Sequence, residues 1–330
     1  MFLPGDAAMA FLASLAACVV AGRFAIPLLR RAQWVAPVRY EDCPPLMEYQ
    51  EAKQKTPTMG GLFLLAAAVA AAAASGGLAH RNGWVVLGTV LAFGLVGVVD
   101  DVLKFRGTNA IGLRSVPKLS AALAIGAVIG LMTMSGPHSS SAVEIPWANR
   151  SVELGWAWVP FAMLVISGCA HAVNLTDGMD GLAAGCAAIV FIVLGVWAMV
   201  GEPHQQALAP WCIALAGACV GFLWFNSFPA SVFMGDVGAL GLGGAMGAIS
   251  LLTRTSAWLA IIGGVFVLEA LSVMLQVASY KWRGKQRIFR VAPIHHHFHL
   301  GGVSEPKVIV RFWIVGLMLG LVGLATAGGR

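Results

Sequence analysis

Apolar residues run along this chain in long blocks separated by short polar stretches. The blocks fall at roughly 7–29, 59–75, 83–99, 118–134, 156–173, 181–200, 207–225, 237–252, 257–280 and 308–328. A helix rises about 1.5 Å per residue, so about 20 apolar residues cross a hydrocarbon core. The pattern predicts an all-α polytopic membrane protein with about ten transmembrane helices, folded as one integral membrane domain over residues 1–330. The blocks at 59–75 and 237–252 are short and call for tilt or for polar flanks that extend the helix. One stretch breaks the pattern. Val143, Ile145 and Trp147 alternate with polar or small residues, and Ser151-Val152-Glu153-Leu154 follows Asn149-Arg150. That alternation reads as a short hairpin near 143–154.

Composition sharpens this picture. The chain is 58% hydrophobic and 11% charged, whereas a soluble domain carries about 25% charged residues. Such a surface needs lipid around it, which excludes a soluble globular enzyme. The cysteines Cys18, Cys169, Cys186, Cys212 and Cys219 fall inside apolar runs and Cys43 in a polar loop. They form neither a disulfide framework nor a CxxC metal site, and read as small buried hydrophobes. Asp6 is the first charge in the chain; without a basic leading stretch, no cleavable signal peptide is expected.

Basic residues give the orientation. Sixteen fall in the first, third and ninth loops: Arg30, Arg31, Arg39, Lys53, Lys55, Lys104, Arg106, Arg114, Lys118, the series from Lys281 to Arg290, Lys307 and Arg311. Four, namely Arg81, Arg150, Arg254 and Arg330, fall on the opposite side. Positive loops stay in the cytoplasm. Both termini and the hairpin are therefore expected outside it. Topology and anionic lipid account for the net charge of +6 without a nucleic-acid partner.

Asp100, Asp101, Asp177, Asp180 and Asp236 each lie at or just past the end of an apolar run, all on the predicted cytoplasmic side. Carboxylates at membrane depth are costly and mark functional sites. Asp177 and Asp180 sit three apart in Asn174-Leu175-Thr176-Asp177-Gly178-Met179-Asp180-Gly181, where glycines allow a ligand to approach the backbone. Asp236 opens a glycine-rich helix whose Gly243 and Gly247 fit a helix-packing face. Clustered carboxylates without thiolates select a hard cation such as Mg²⁺, held together with substrate phosphates. Lys53, Lys55, Lys104 and Lys118 are candidates for phosphate oxygens, and the set points to phosphoryl transfer. The ninth loop adds Ala292-Pro293-Ile294-His295-His296-His297-Phe298-His299. HExxH spacing and companion cysteines are absent, so zinc is not indicated. Imidazoles beside phosphates donate hydrogen bonds or carry protons. Three consecutive side chains diverge, so the three histidines are not expected to be equivalent.

Together, Lys55-Thr56-Pro57-Thr58-Met59-Gly60-Gly61, the Asp100-Asp101 pair, the 174–181 segment, Phe233-Met234-Gly235-Asp236, Ala292-Pro293-Ile294-His295-His296-His297 and the tail from Glu305 to Trp313 resemble a known family. It is the phospho-N-acetylmuramoyl-pentapeptide transferases, within the polyprenyl-phosphate N-acetylhexosamine-1-phosphate transferase superfamily. The resemblance covers essentially the whole chain in order. It implies ten transmembrane helices, a cytoplasmic cleft in the bacterial inner membrane, a homodimer and a Mg²⁺ requirement. It implies transfer of phospho-MurNAc-pentapeptide from its UDP carrier to undecaprenyl phosphate, giving lipid I and UMP. By motif position Asp236 is implied as the metal ligand, with Asp100 and Asp101 as the pair nearest the phosphates. Asn226, Phe233, Asp177 and Asp180 are implied in the nucleotide pocket, Phe233 stacking on uracil, and Asn174 as a further substrate-binding residue. Lys53, Lys118, Gln276 and His295 match other cleft positions, with His296 and His297 beside them. His171 and His299 depart from the family pattern, which has Asn and commonly Glu there.

Two rival readings follow from the same residues. A superfamily relative would use a UDP-N-acetylhexosamine without peptide. An ion-coupled transporter would also carry membrane carboxylates, but near the midplane and often with internal repeats; here they gather at one face and no repeat is visible.

Overall fold

The computed structural model describes residues 4–35, 47, 49, 51, 53, 55–106, 112–135, 141–148 and 150–327. Arg39, Cys43, Asn149 and Arg330 lie outside the described residues. The chain is almost entirely helical. In order it forms α1 (Pro4–Arg31), α2 (Gly61–Ala74), α3 (Arg81–Arg106), α4 (Ser115–Met134), β1 (Ala142–Ile145), β2 (Arg150–Glu153), α5 (Trp158–Thr176), α6 (Leu182–Val200), α7 (Pro203–Gln206), α8 (Ala209–Asn226), α9 (Gly235–Leu252), α10 (Ser256–Ile262), α11 (Gly264–Trp282), α12 (Ile294–His299) and α13 (Glu305–Ala327). Among the described residues nine helices are long and apolar enough to cross a membrane. The tenth expected span, α2, is apolar but only 14 residues long. Residues 57–60 ahead of it precede the helix, with Met59 at φ +69°: Phe233 N–H donates to the Pro57 carbonyl, and Gly60 and Gly61 N–H donate to the carbonyls of Phe233 and Met234.

The ninth apolar run, expected as one helix over 257–280, divides at Gly263 into α10 and α11. Gly263 leaves helical geometry, at φ −90° and ψ 20°, and a Gly-Gly step is a weak point in any helix. The hairpin is present: Ala142, Val143, Glu144 and Ile145 pair antiparallel with Glu153, Val152, Ser151 and Arg150.

The buried centre of the bundle is α9, which packs on α3, α5 and α2. Small residues make this possible. A Cβ at Gly243 would lie 2.5 Å from Ala170 Cα and one at Gly247 2.8 Å from Ile166 Cα, so both glycines face α5 as expected of a packing face. A Cβ at Gly61 would lie 2.2 Å from Gly238 N, and one at Gly97 2.3 Å from Val237 Cα. Backbones of α2, α3 and α9 therefore touch where Asp236 begins its helix. α8 packs on α1, α6 and α2 and completes the core, with Trp211 and Phe222 fully buried.

Candidate active site

The ends of α3, α5, α8 and α11 and the starts of α2, α4, α6, α9 and α13 meet at one end of the bundle; the hairpin closes the other. Gly235 takes φ +73°, a left-handed turn that glycine adopts without strain. A side chain there would also collide with Asp101 Oδ2 at 2.7 Å. The turn starts α9 directly beneath the Asp100-Asp101 pair. Asp101 Oδ2 accepts the Val237 N–H at 3.2 Å, so a carboxylate from α3 satisfies an orphan donor at the α9 N-terminus, where negative charge is favoured.

Asp100, Asp101 and Asp236 are all buried, and one oxygen from each lies within 4.8 Å of the others. Two ammoniums hold them. Lys104 Nζ pairs with Asp100, with Asp101 at 3.0 Å and with Asp236 at 2.8 Å. Lys118 Nζ pairs with Asp236, reaches Asp100 Oδ1 at 3.5 Å and lies 3.5 Å from Asn174 Oδ1. Three carboxylates against two ammoniums leave one formal negative charge. Hard oxygen donors this close, with no thiolate or imidazole among them, fit a Mg²⁺ ion. Lys104 is more central than its sequence position indicated; the i, i+3 and i, i+4 spacings from Asp101 and Asp100 were the available signal.

A second cluster stands beside the first. Lys53 Nζ donates to Asp180 Oδ1 at 2.7 Å, to Glu305 Oε1 at 2.7 Å and to Tyr49 Oη at 2.6 Å. Glu305 Oε1 also accepts the Asp180 N–H at 3.0 Å, and Asp180 Oδ2 accepts the Ala230 N–H at 2.9 Å. Burial raises the Asp180 carboxyl above its ordinary value, against the pull of Lys53. Burial, reinforced by Glu305, raises the Tyr49 phenol. Asp177 lies between the clusters, half-buried. Burial, then Asp236, Asp101 and Asp180, push its carboxyl up to about 8.

Asn226 ties two backbone segments together: its Oδ1 accepts the Gly181 N–H at 3.0 Å and its Nδ2 donates to the Val232 carbonyl at 2.9 Å. Phe233 is half-buried on the same strip. Gln276 is engaged elsewhere. Its Oε1 accepts the N–H groups of Ile288 and Phe289 and its Nε2 donates to the Phe289 carbonyl, which ties the 283–293 loop to α11.

The three histidines differ, as three consecutive side chains must. His295 and His296 are buried, while His297 Nδ1 accepts the Arg290 N–H at 3.1 Å and faces the loop. His295 has no exposed surface, so it is turned into the protein rather than toward an open cleft. The His296 imidazole is held well below its ordinary value, first by burial and then by His295, His299 and Lys53. The two departures are accommodated locally: His171 Nδ1 contacts the Ser167 carbonyl at 2.9 Å, and the His299 ring lies 5.0 Å from that of Tyr49. Glu305 and Glu269 were not singled out by sequence as site residues. Glu269 was visible as the sole acidic residue in its apolar block, and Glu305 only as part of a motif.

Buried acids gripped by lysines at the ends of membrane helices suit the handling of phosphates, and residues 83–254 match glycosyl transferase family 4, which places the chain among membrane transferases. The chain is 43% identical over 331 residues to the phospho-N-acetylmuramoyl-pentapeptide-transferase of Pelobacter propionicus, covering 96% of this chain and 91% of that protein. It is 44% identical over 290 residues to the enzyme of that name from Thermodesulfovibrio yellowstonii, covering 83% and 80%. It is 46% identical over 288 residues to that of Citrifermentans bemidjiense, covering 83% and 80%. The chain belongs to the phospho-N-acetylmuramoyl-pentapeptide transferase family.

Proposed function

We propose that this enzyme transfers phospho-MurNAc-pentapeptide from UDP-MurNAc-pentapeptide to undecaprenyl phosphate, forming lipid I and UMP. The observation that carries the chemistry is the buried Asp100–Asp101–Asp236 triad gripped by Lys104 and Lys118. Family membership supports the substrates. The surplus of basic residues at the carboxylate end supports a site on the cytoplasmic face of the bacterial inner membrane, and the resemblance supports a homodimer.

Asp236, with Asp100 and Asp101, would hold Mg²⁺, which supplies a Lewis acid for the pyrophosphate oxygens. An oxygen of the lipid phosphate attacks the phosphorus that carries the sugar. A new P–O bond forms, the bridge to the uridine phosphate breaks, and UMP leaves with the bond's electrons. Asp100 accepts the lipid phosphate's proton when it carries one; the second pKa of a phosphate is near about 6, so little base catalysis is needed. Lys118 and Lys104 neutralise charge on the phosphoryl oxygens as it spreads. Asp177, Asp180, Asn226, Phe233 and Lys53 form the nucleotide pocket, with Phe233 placed to stack on uracil.

The test is the identity of the leaving group. Purified enzyme in detergent, given UDP-MurNAc-pentapeptide and undecaprenyl phosphate, should release one UMP per lipid-linked product and stop on chelation of Mg²⁺. Release of UDP instead would mean sugar transfer without its phosphate and would overturn the reading.

A further inference from the structure

Glu269 belongs to none of the residues used above. It is the sole acidic residue in the block 257–280, and on α11 it has no exposed surface. A carboxylate inside a membrane helix is costly and marks function by default. Its Oε2 lies 3.0 Å from Nδ1 of His295, which is equally without exposed surface. Among the described residues neither group makes a hydrogen bond to any other. Each is the other's compensation for burial.

The opposite edge of the imidazole rests on backbone. A Cβ built on Gly178 would stand 2.4 Å from His295 Nε2, 2.9 Å from its Cε1 and 3.4 Å from His296 Nε2. Gly178 separates Asp177 from Met179 and Asp180, the segment that lines the nucleotide pocket. In an interior packed to crystal density, the ring cannot shift without moving that segment.

We propose that Glu269 is a positioning residue that sets the Asp177–Asp180 segment through the imidazole of His295. The line of contact runs from the Glu269 carboxylate to the His295 ring to the Gly178 backbone. His295 then serves by holding this segment in place. The inference rests on the reading that the segment receives a uridine nucleotide. It explains why a membrane helix retains a buried acid with one partner, and why position 178 carries no side chain.

The experiment measures UMP binding by calorimetry and turnover against donor concentration, using full-length protein in detergent with Mg²⁺. Wild type that does not bind UMP would sink the nucleotide reading itself. Where wild type binds, Glu269→Gln should weaken UMP affinity and raise KM by about tenfold or more, with turnover at saturating donor within about threefold of wild type. Residues that act as one unit do not add: Glu269→Gln/His295→Gln should lose no more affinity than the worse single variant. Should the Gln variant fail to fold, Gly178→Ala decides, because it pushes the ring from the other side with the Glu269–His295 contact intact. It should weaken UMP binding similarly in protein that still folds, with the overpacking lowering its stability. A folded Glu269→Gln with wild-type UMP affinity, a Gly178→Ala that binds normally, or losses that multiply in the double variant would each overturn the proposal.

Discussion

Asp177 shows how charge is distributed across the site. Its neighbours Asp236, Asp101 and Asp180 are held by lysines, while burial and those same neighbours keep Asp177 protonated up to about 8. Unfolded, it releases its proton near the ordinary 3.8. The stability that this group permits is full below that lower value and is lost as pH rises toward about 8. Asp177→Asn removes the titration. In metal-free protein the variant's gain in melting temperature over wild type should grow from about pH 5 to about pH 8 and then level off. A difference that stays constant across that range would show that Asp177 is ionised throughout. At this scale the sequence revealed the five aspartates, because acids at the ends of apolar runs stand out. It did not reveal which lysine meets which acid. Lys104 and Lys118 are both four or fewer residues from a helix end, and only the crossing of α3, α4 and α9 brings both onto Asp236. Glu269 escaped because its partner, His295, is distant in sequence.

The contact between α3 and α9 is the element on which the triad depends. Gly97 of α3 meets the backbone of Val237 and Asp236, whereas Gly88, on the same helix, has nothing within 4 Å of where a Cβ would stand. Gly97→Ala should separate the helices, cost about 1–3 kcal/mol in overpacking, and lower activity by moving Asp101 off Asp236. Gly88→Ala should be neutral or raise stability by up to about 1 kcal/mol, since alanine is the better helix former. The check is turnover and thermal unfolding of both variants side by side; equal behaviour would mean that close approach at Gly97 is not what aligns the acids. Apolar periodicity located nearly every helix. It missed the break at Gly263 because hydropathy continues unbroken through a Gly-Gly step. It also overestimated α2: Met59 and Gly60, at the front of the apolar block 59–75, precede the helix, Met59 at φ +69° and Gly60 donating its N–H to the Phe233 carbonyl.

At the scale of the whole molecule, alternation of nine apolar spans and the shorter α2, among the described residues, brings motifs from distant parts of the chain to one end, with the hairpin at the other. In intact cells of a Cys43→Ser background, a membrane-impermeant thiol reagent should label Arg150→Cys, on β2, and leave Arg287→Cys, in the loop after α11, unlabelled. The reverse pattern would invert the orientation. Overall architecture was readable because lipid dictates helix length and charge bias; the meeting of distant motifs was readable only through family resemblance, since no local pattern encodes it. The central claim is that this site moves a phospho-sugar bearing the pentapeptide, and donor choice tests it most directly. Purified enzyme with undecaprenyl phosphate and Mg²⁺ is offered radiolabelled UDP-MurNAc-pentapeptide or UDP-GlcNAc, with Asp236→Asn as the control. Label should enter the lipid phase from UDP-MurNAc-pentapeptide alone and fall by about 10²-fold or more in Asp236→Asn; lipid-linked label from UDP-GlcNAc, or undiminished transfer by Asp236→Asn, would contradict the account.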